Sequence, residues 1–253
     1  MKLDKLIIAI LAGVVLVGCG NKDAATTTSG SDSNATTGST SPVDTSKEYT
    51  LKVNLNKGDK FAFDVNMQMT ADVSGVTDPA TKKQLEAMGA SDSKLNASAT
   101  ENSEVTEVKD GKFTISNTYA DPKVEATGLF KGFPGMTPDT MTIDEHGVTS
   151  KESGGDDMSA VLPDKAVKVG DTWDSEVNGK KVTGKLVGVE QVNGKDALKV
   201  EYTGMGSEDM AFDGPVLVWL DPEKGIPVKM EGKVNMDKQG IKMTGEMSRT
   251  LKG

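Results

Sequence analysis

Cysteine and histidine, which many enzymes use as nucleophile and general base, occur once each in this chain of 253 residues. A Ser–His–acid or Cys–His centre would therefore have to use His146. This histidine lies in Asp144-Glu145-His146-Gly147, a composition typical of a solvated hairpin turn. We therefore expect no catalytic residue and no enzymatic activity.

Acidic residues are plentiful, with 38 Asp+Glu, and a carboxylate pair could in principle cleave a glycoside. Six Phe, three Tyr and two Trp offer few platforms for a sugar substrate. The acidic loops 154–157 and 206–214 lack the alternating ligand spacing of a calcium loop, and calcium binding there stays open. Met67-x-Met69 could present two thioethers to Cu(I), but no His or Cys lies nearby. The sequence predicts no metal and no cofactor.

The charge balance excludes some partners. A formal net charge of −9 and a pI near 4.8 give no overall attraction to nucleic acid or to an anionic membrane surface. A single cysteine excludes an intrachain disulfide and any zinc or iron–sulfur site built from several cysteines. We expect no nucleic-acid partner.

Residues 1–18 have the organisation of a secretory signal peptide. Lys2 and Lys5 precede an uncharged, mostly aliphatic run from Leu6 to Val17. As a helix this run covers about 18 Å, short of the roughly 30 Å hydrocarbon core of a bilayer. It ends in Leu16-Val17-Gly18-Cys19, which resembles a bacterial lipobox. The resemblance implies diacylglycerol on Cys19, cleavage before it, and an extracytoplasmic protein anchored to the cell membrane or the outer membrane.

Residues 19–47 are predicted to form a lipid-anchored, disordered tether. Ser and Thr dominate the segment, and large apolar side chains are almost absent from it. Such a composition buries too little surface to offset the entropy of ordering. As a flexible coil its ends would lie roughly 30 Å apart. The alternative is a low-complexity filler with no spacing role.

Residues 48–253 are predicted to form a single β domain. Apolar residues alternate with polar ones at Leu51, Val53 and Leu55, and again from Phe61 to Val73, as in a strand with one wet face. The only helix expected is a short insertion from Pro79 to Met88. The fold class is all-β, with antiparallel meander sheets forming a curved half-barrel or a sandwich. Further strands are expected around 113–119, 198–202, 216–220, 228–236 and 241–247.

Two similar halves, about 48–150 and 165–253, are suggested by motifs that recur in the same order. Gly58-Asp59-x-Phe61 matches Gly170-Asp171-x-Trp173. Val105-x-x-Val108 before an Asp-Gly turn matches Val189-x-x-Val192 before an Asn-Gly turn. Coincidence is the alternative, because Gly, Asp and Val are common in hairpins.

Two segments resemble known proteins. Residues 162–173 and 218–229 are similar to stretches of uncharacterised bacterial lipoproteins with a lipobox and a β-rich domain. The second also resembles hairpins of half-open β-barrel lipoprotein carriers. This resemblance implies a curved antiparallel sheet with an apolar concave face.

These patterns together predict a membrane-anchored envelope lipoprotein whose non-enzymatic domain binds an apolar ligand or lipid. The alternative is a structural or protein-interaction module of the envelope with no small-molecule ligand. Inward strand positions that carry Phe or Met are the candidates to line a ligand site. They are Phe61, Phe63, Met67, Met69, Met230 and Met243.

Overall fold

A computed structural model describes residues 46–149, 161–177, 180–205 and 212–253 of the chain. The expected signal peptide, Cys19 and the tether up to residue 45 lie outside the described residues. The acidic loop 154–157 and residues 206–211 of the second acidic loop also lie outside them.

The described residues form one antiparallel sheet of ten strands, and the sheet is not closed. The strands are β1 Lys60–Asp72, β2 Ser93–Lys109, β3 Lys112–Ala126, β4 Asp139–Asp144, β5 Thr172–Val177, β6 Lys180–Val192, β7 Lys195–Thr203, β8 Val216–Leu220, β9 Pro227–Lys238 and β10 Ile241–Leu251. Their order across the sheet is β4-β3-β2-β1-β10-β9-β8-β7-β6-β5. The predicted all-β class with a curved antiparallel meander is thus confirmed.

The expected helical insertion is α1, Pro79–Ala87, between β1 and β2. Asp78 caps the N-terminus of this helix, since the Thr81 backbone N–H donates to Asp78 Oδ2 at 2.7 Å. Pro79 is the first residue of the helix, where the φ angle fixed by its ring is compatible with helical backbone. Leu85 is the buried residue of α1 and packs on the sheet.

Tight two-residue turns set the register of the hairpins. Asp110-Gly111 joins β2 to β3 and Asn193-Gly194 joins β6 to β7, and all four residues have positive φ. Asn, Asp and Gly tolerate this conformation best, and such turns match the twist of the flanking strands. The sequence signals for these turns therefore mark real hairpins.

One face of the sheet, which we call the inner face, carries the odd-numbered residues of β1 and β2. Two apolar clusters cover its two ends. The first cluster joins β6, β7 and β8 to Leu51, Val53, Leu55 and Leu162. The second joins β9 and β10 to α1 and to a short 3₁₀ turn at Gly128–Phe130. Most of the inner face is thus filled by the chain itself.

The segment 49–55 alternates as predicted, but it is not a strand of the sheet. Leu51, Val53 and Leu55 are buried, whereas the residues between them are exposed. The segment crosses the ends of other strands, with Val53 N donating to Glu145 O at 2.8 Å and Asn54 N to Lys224 O at 2.9 Å. A period-two pattern reports one buried face and does not identify the neighbour that covers it.

The turns before β1 and β5 repeat one hydrogen-bond pattern. Gly58 N donates to Val105 O at 2.8 Å and Val105 N to Asp59 O at 2.9 Å. Gly170 N likewise donates to Leu186 O at 2.7 Å, and Leu186 N to Asp171 O at 3.0 Å. A β-bulge follows directly after Val105 and after Leu186. The structural counterpart of Val105 is therefore Leu186, and not Val189 as the sequence motif suggested.

Candidate functional site

A strip of the inner face lies between the two apolar clusters and belongs to neither. We call it the central strip. It contains both apolar and polar side chains, contributed by β1, β2, β3, β4 and β10. Its members are Phe63, Val65, Ala99, Glu101, Ser103, Asn117, Tyr119, Asp139, Met247 and Arg249.

An ion pair occupies the middle of the central strip. Arg249 Nη2 donates to Glu101 Oε1 at 2.7 Å and Nε to Oε2 at 3.0 Å, a two-point contact. The Glu101 side chain is 8% exposed and that of Arg249 22%. The guanidinium carbon also lies 3.3 Å from the centre of the Phe63 ring. The pair is therefore held between a buried aromatic ring and the partly open inner face.

Ser103 and Asn117 extend this polar group across β2 and β3. Ser103 Oγ lies 2.9 Å from Glu101 Oε1 and 2.8 Å from Asn117 Oδ1. A hydroxyl carries a single hydrogen, so Ser103 donates to one of these oxygens at a time. Glu101, Ser103 and Asn117 are all buried polar residues of the inner face.

Asp139 on β4 is the neighbour of Asn117 and has an unsatisfied oxygen. Its Oδ1 is buried and accepts no hydrogen bond from the described residues. Burial raises the pKa of the Asp139 carboxyl, the Glu101 charge adds to this effect, and Asn117 and Arg249 oppose it. Burial also raises the pKa of the Tyr119 hydroxyl, which stays protonated at neutral pH. A buried acceptor without a donor suits a ligand that brings one.

Apolar side chains lie beside this polar group along β1 and β10. Met67 pairs directly with Met247, and Val65 pairs with Arg249. Val65, Met67 and Met247 are all half-buried, so the described residues leave part of each uncovered. The central strip thus combines an uncovered apolar surface with hydrogen-bonding groups, an arrangement suited to binding an amphipathic molecule.

All six residues predicted to line a ligand site lie on the inner face, but they do not form one surface. Phe61 and Met230 pack against the first cluster and Met67 against the second, each partly buried. Phe63, Met69 and Met243 are only 2%, 4% and 0% exposed. Phe63 lies beneath Arg249, whereas Met69 and Met243 are core residues of the second cluster.

His146 lies away from the central strip, in the turn after β4. Its Nε2 is 3.5 Å from Glu145 Oε1 and its Nδ1 is 3.6 Å from Asp164 Oδ1. Within the four described ranges no three His, Cys, Asp or Glu side chains are grouped to hold a metal ion. No helix among those residues is long and apolar enough to cross a bilayer.

Two grooves lie on the outer face, across β1, β9 and β10. Their volumes are about 360 and 560 Å³, and Gln68, Asp213, Lys233 and Glu246 border both. Charged side chains of both signs border them. Apolar residues also line them, Met69 and Val234 in the smaller groove and Pro215, Leu217 and Met247 in the larger.

The polar members of the central strip were missed by sequence reasoning. Glu101, Ser103, Asn117 and Asp139 resemble ordinary surface residues when read one by one. Arg249 offered a usable signal, because it is the only arginine in the chain and all other basic residues except His146 are lysine. An isolated arginine on an alternating strand is a candidate for two-point binding of a buried carboxylate.

Comparisons with known proteins found little. No family model matches the sequence, and no curated protein matches it. Among solved structures, a DUF1329 family protein from Desulfovibrio piger ATCC 29098 aligns with a TM-score of 0.20 and 11% sequence identity. The alignment covers 77% of this chain and 85% of that chain. A likeness this weak supports no transfer of fold or function.

Proposed function

We propose that this protein is a lipid-anchored envelope lipoprotein whose β domain binds an apolar ligand on the inner face and catalyses no reaction. The observation that carries the binding proposal is the row Val65, Met67 and Met247. These three apolar side chains are half-buried, whereas the two apolar clusters on either side of them are built mainly from buried residues. Methionine is flexible and polarisable, so this surface adapts to chains of different shape.

The anchor rests on the N-terminal sequence. The apolar run is too short to span a bilayer, and the lipobox-like Leu16-Val17-Gly18-Cys19 supplies a thiol for lipid attachment. Two or three acyl chains hold a protein stably on a membrane, whereas one does so only marginally. The Ser- and Thr-rich segment that follows then separates the lipid from the β domain.

Site-directed photo-crosslinking in cells tests the binding proposal with the full-length protein. A diazirine amino acid replaces Met67 on the inner face, and in a matched control it replaces Asn102, an exposed outward residue of β2. We expect light to attach a lipid-sized adduct to the peptide that carries position 67 and none to the peptide that carries position 102. Equal labelling at both positions, or crosslinks to protein only, would favour the interaction module and contradict ligand binding.

Cell fractionation tests the anchor. We expect the wild-type chain to sediment with membranes and to incorporate radioactive palmitate, and the Cys19→Ser variant to lose the label. Palmitate on the variant, or no palmitate on the wild type, would contradict lipidation at Cys19. This result does not depend on the crosslinking result, so the two parts of the proposal stand or fall separately.

A further inference from the structure

The polar part of the central strip has a charge balance that restricts what can bind there. Glu101 and Arg249 neutralise each other through their two-point contact. Asp139 is the remaining carboxyl, and burial raises its pKa. An anionic ligand group would therefore enter a partly buried region without a free cation to pair with, which costs free energy.

Unused hydrogen-bonding capacity remains at both ends of the polar group. A guanidinium has five N–H donors, and Glu101 accepts from two of those on Arg249. Asp139 Oδ1 is a buried acceptor that no described group satisfies. Asp139 also lies close enough to Glu101 and Arg249 to feel the charge of each. The strip thus offers a donor and an acceptor near one another.

The second meander shows that the fold does not need these polar groups. Strand register from the Gly58-Asp59 and Gly170-Asp171 turns places Val182 where the first meander has Glu101, and Val216 where it has Asp139. Both valines are buried in the first apolar cluster. A carboxylate that the architecture does not require points to a role in recognition.

We propose that the central strip binds the uncharged ester head of an acylglycerol, a step that rests on the proposed apolar-ligand function. Arg249 donates to the ester carbonyl, and Asp139 accepts from a glycerol hydroxyl. The acyl chain lies along Val65, Met67 and Met247. The same arrangement discriminates against a free fatty acid, whose carboxylate would be uncompensated beside Glu101.

Methyl NMR of the full-length protein in phosphatidylcholine nanodiscs tests this assignment. Methionine methyl groups labelled with ¹³C report binding at Met67 and Met247, and the fully buried Met243 serves as reference. The ligands are monooctanoylglycerol, methyl octanoate and octanoate, which share one chain length. At pH 7 we expect monooctanoylglycerol to bind about tenfold more tightly than octanoate, a preference equivalent to roughly 1.4 kcal/mol.

Two variants test the roles of the polar groups. Glu101→Gln keeps the shape of the side chain and leaves the Arg249 charge uncompensated, so we expect the preference to reverse in favour of octanoate. Asp139→Leu removes the acceptor, so we expect monooctanoylglycerol to fall to the affinity of methyl octanoate. Methyl octanoate should bind this variant and the wild type alike. Should Glu101→Gln fail to fold, Asp139→Leu still decides the question.

The outcomes separate the two proposals. If none of the three ligands shifts Met67 or Met247, the proposed apolar-ligand function fails. If octanoate binds the wild type as tightly as monooctanoylglycerol, or if neither variant changes the order of affinities, the head-group assignment fails and the ligand function survives.

Discussion

Strands β1–β4 and β5–β8 are two meanders that begin at the same kind of turn and carry different inner side chains. In both, a Gly-Asp turn exchanges two backbone hydrogen bonds with the strand that follows the first, just before a β-bulge. Strand pairing counted from these two Gly-Asp turns identifies the inner positions that are equivalent in the two meanders. The pairs are Glu101 with Val182, Ser103 with Gly184, Asn117 with Tyr202 and Asp139 with Val216.

The second meander is closed by its own aromatic side chains. Trp173 and Tyr202 meet edge to face with ring centres 6.0 Å apart. Trp173 Nε1 donates to Val161 O at 2.8 Å, and the Tyr202 hydroxyl donates to the same oxygen at 3.1 Å. At the equivalent places the first meander has Phe61 for Trp173 and the polar Asn117 for Tyr202. One architecture thus supports both a solid core and a polar, partly open strip.

The largest effect is expected from breaking the ion pair between Glu101 of the first meander and Arg249 of β10. Arg249→Met leaves the buried Glu101 carboxylate beside the Ser103 hydroxyl but without its cation, and should lower the free energy of unfolding by about 3–5 kcal/mol. Adding Glu101→Leu should recover most of that loss, because the double variant resembles the apolar second meander. Urea unfolding of the two single variants and the double variant measures this. Losses that simply add would contradict the coupling.

A smaller effect is expected from making the second meander more like the first. Gly184→Ser adds a Cβ that would overlap the Trp173 ring. Such overpacking costs about 1–3 kcal/mol, and thermal unfolding would show it. Gly188→Ser on the same strand is the control, because a Cβ there meets no atom within 4 Å. Equal losses at the two positions would argue against a tightly closed second half.

Removing one hydroxyl from the closed half should cost less again. Tyr202→Phe loses the hydrogen bond to Val161 O, worth about 1 kcal/mol of unfolding free energy. Tyr119→Phe in the open half is the comparison, and we expect a smaller loss because Tyr119 is only half-buried, whereas Tyr202 is 1% exposed. Denaturant unfolding of the two variants measures both losses. A larger loss of unfolding free energy for Tyr119→Phe than for Tyr202→Phe would contradict this comparison.

The smallest effect is expected in the pH dependence of stability. The pKa of Asp139 is raised on folding, so the folded state holds its proton more tightly and loses stability as pH rises through and above the unfolded pKa. Asp139→Asn should therefore stabilise the protein more at pH 7 than at pH 4. Unfolding at both pH values measures this.

Asp59 provides a control of opposite sign. Its hydrogen bond from Lys224 lowers its pKa, so its contribution is present above the unfolded pKa and is lost as pH falls. Asp59→Asn should then cost more at pH 7 than at pH 4. The same sign of pH dependence for both variants would contradict the assigned shifts.

The sequence predicts much of the fold, because apolar alternation and Asn-Gly or Asp-Gly turns mark β1, β3, β7, β8, β9 and β10. The sequence does not predict strand β2, and the reason is physical. The inner positions of that strand carry Ser93, Ala97, Ala99, Glu101 and Ser103 as well as Leu95 and Val105, so the apolar period is interrupted. The side chains that make the candidate site are the ones that conceal the strand. The ion pair between Glu101 and Arg249 joins β2 to β10 across 148 positions of the chain. No local sequence pattern indicates a contact between residues so far apart.

The N-terminal segment 49–55 has a mechanical consequence. It enters the fold ahead of β1 and is fastened by a few backbone hydrogen bonds, among them the pair between Tyr49 and Val167 at 2.8 and 2.9 Å. Tension applied from the N-terminal side, as from a membrane attachment, loads these contacts before any strand of the sheet. Pulling single molecules from that end should therefore extract Leu51, Val53 and Leu55 first, as a low-force step, and uncover the first apolar cluster while the ten-stranded sheet stays intact.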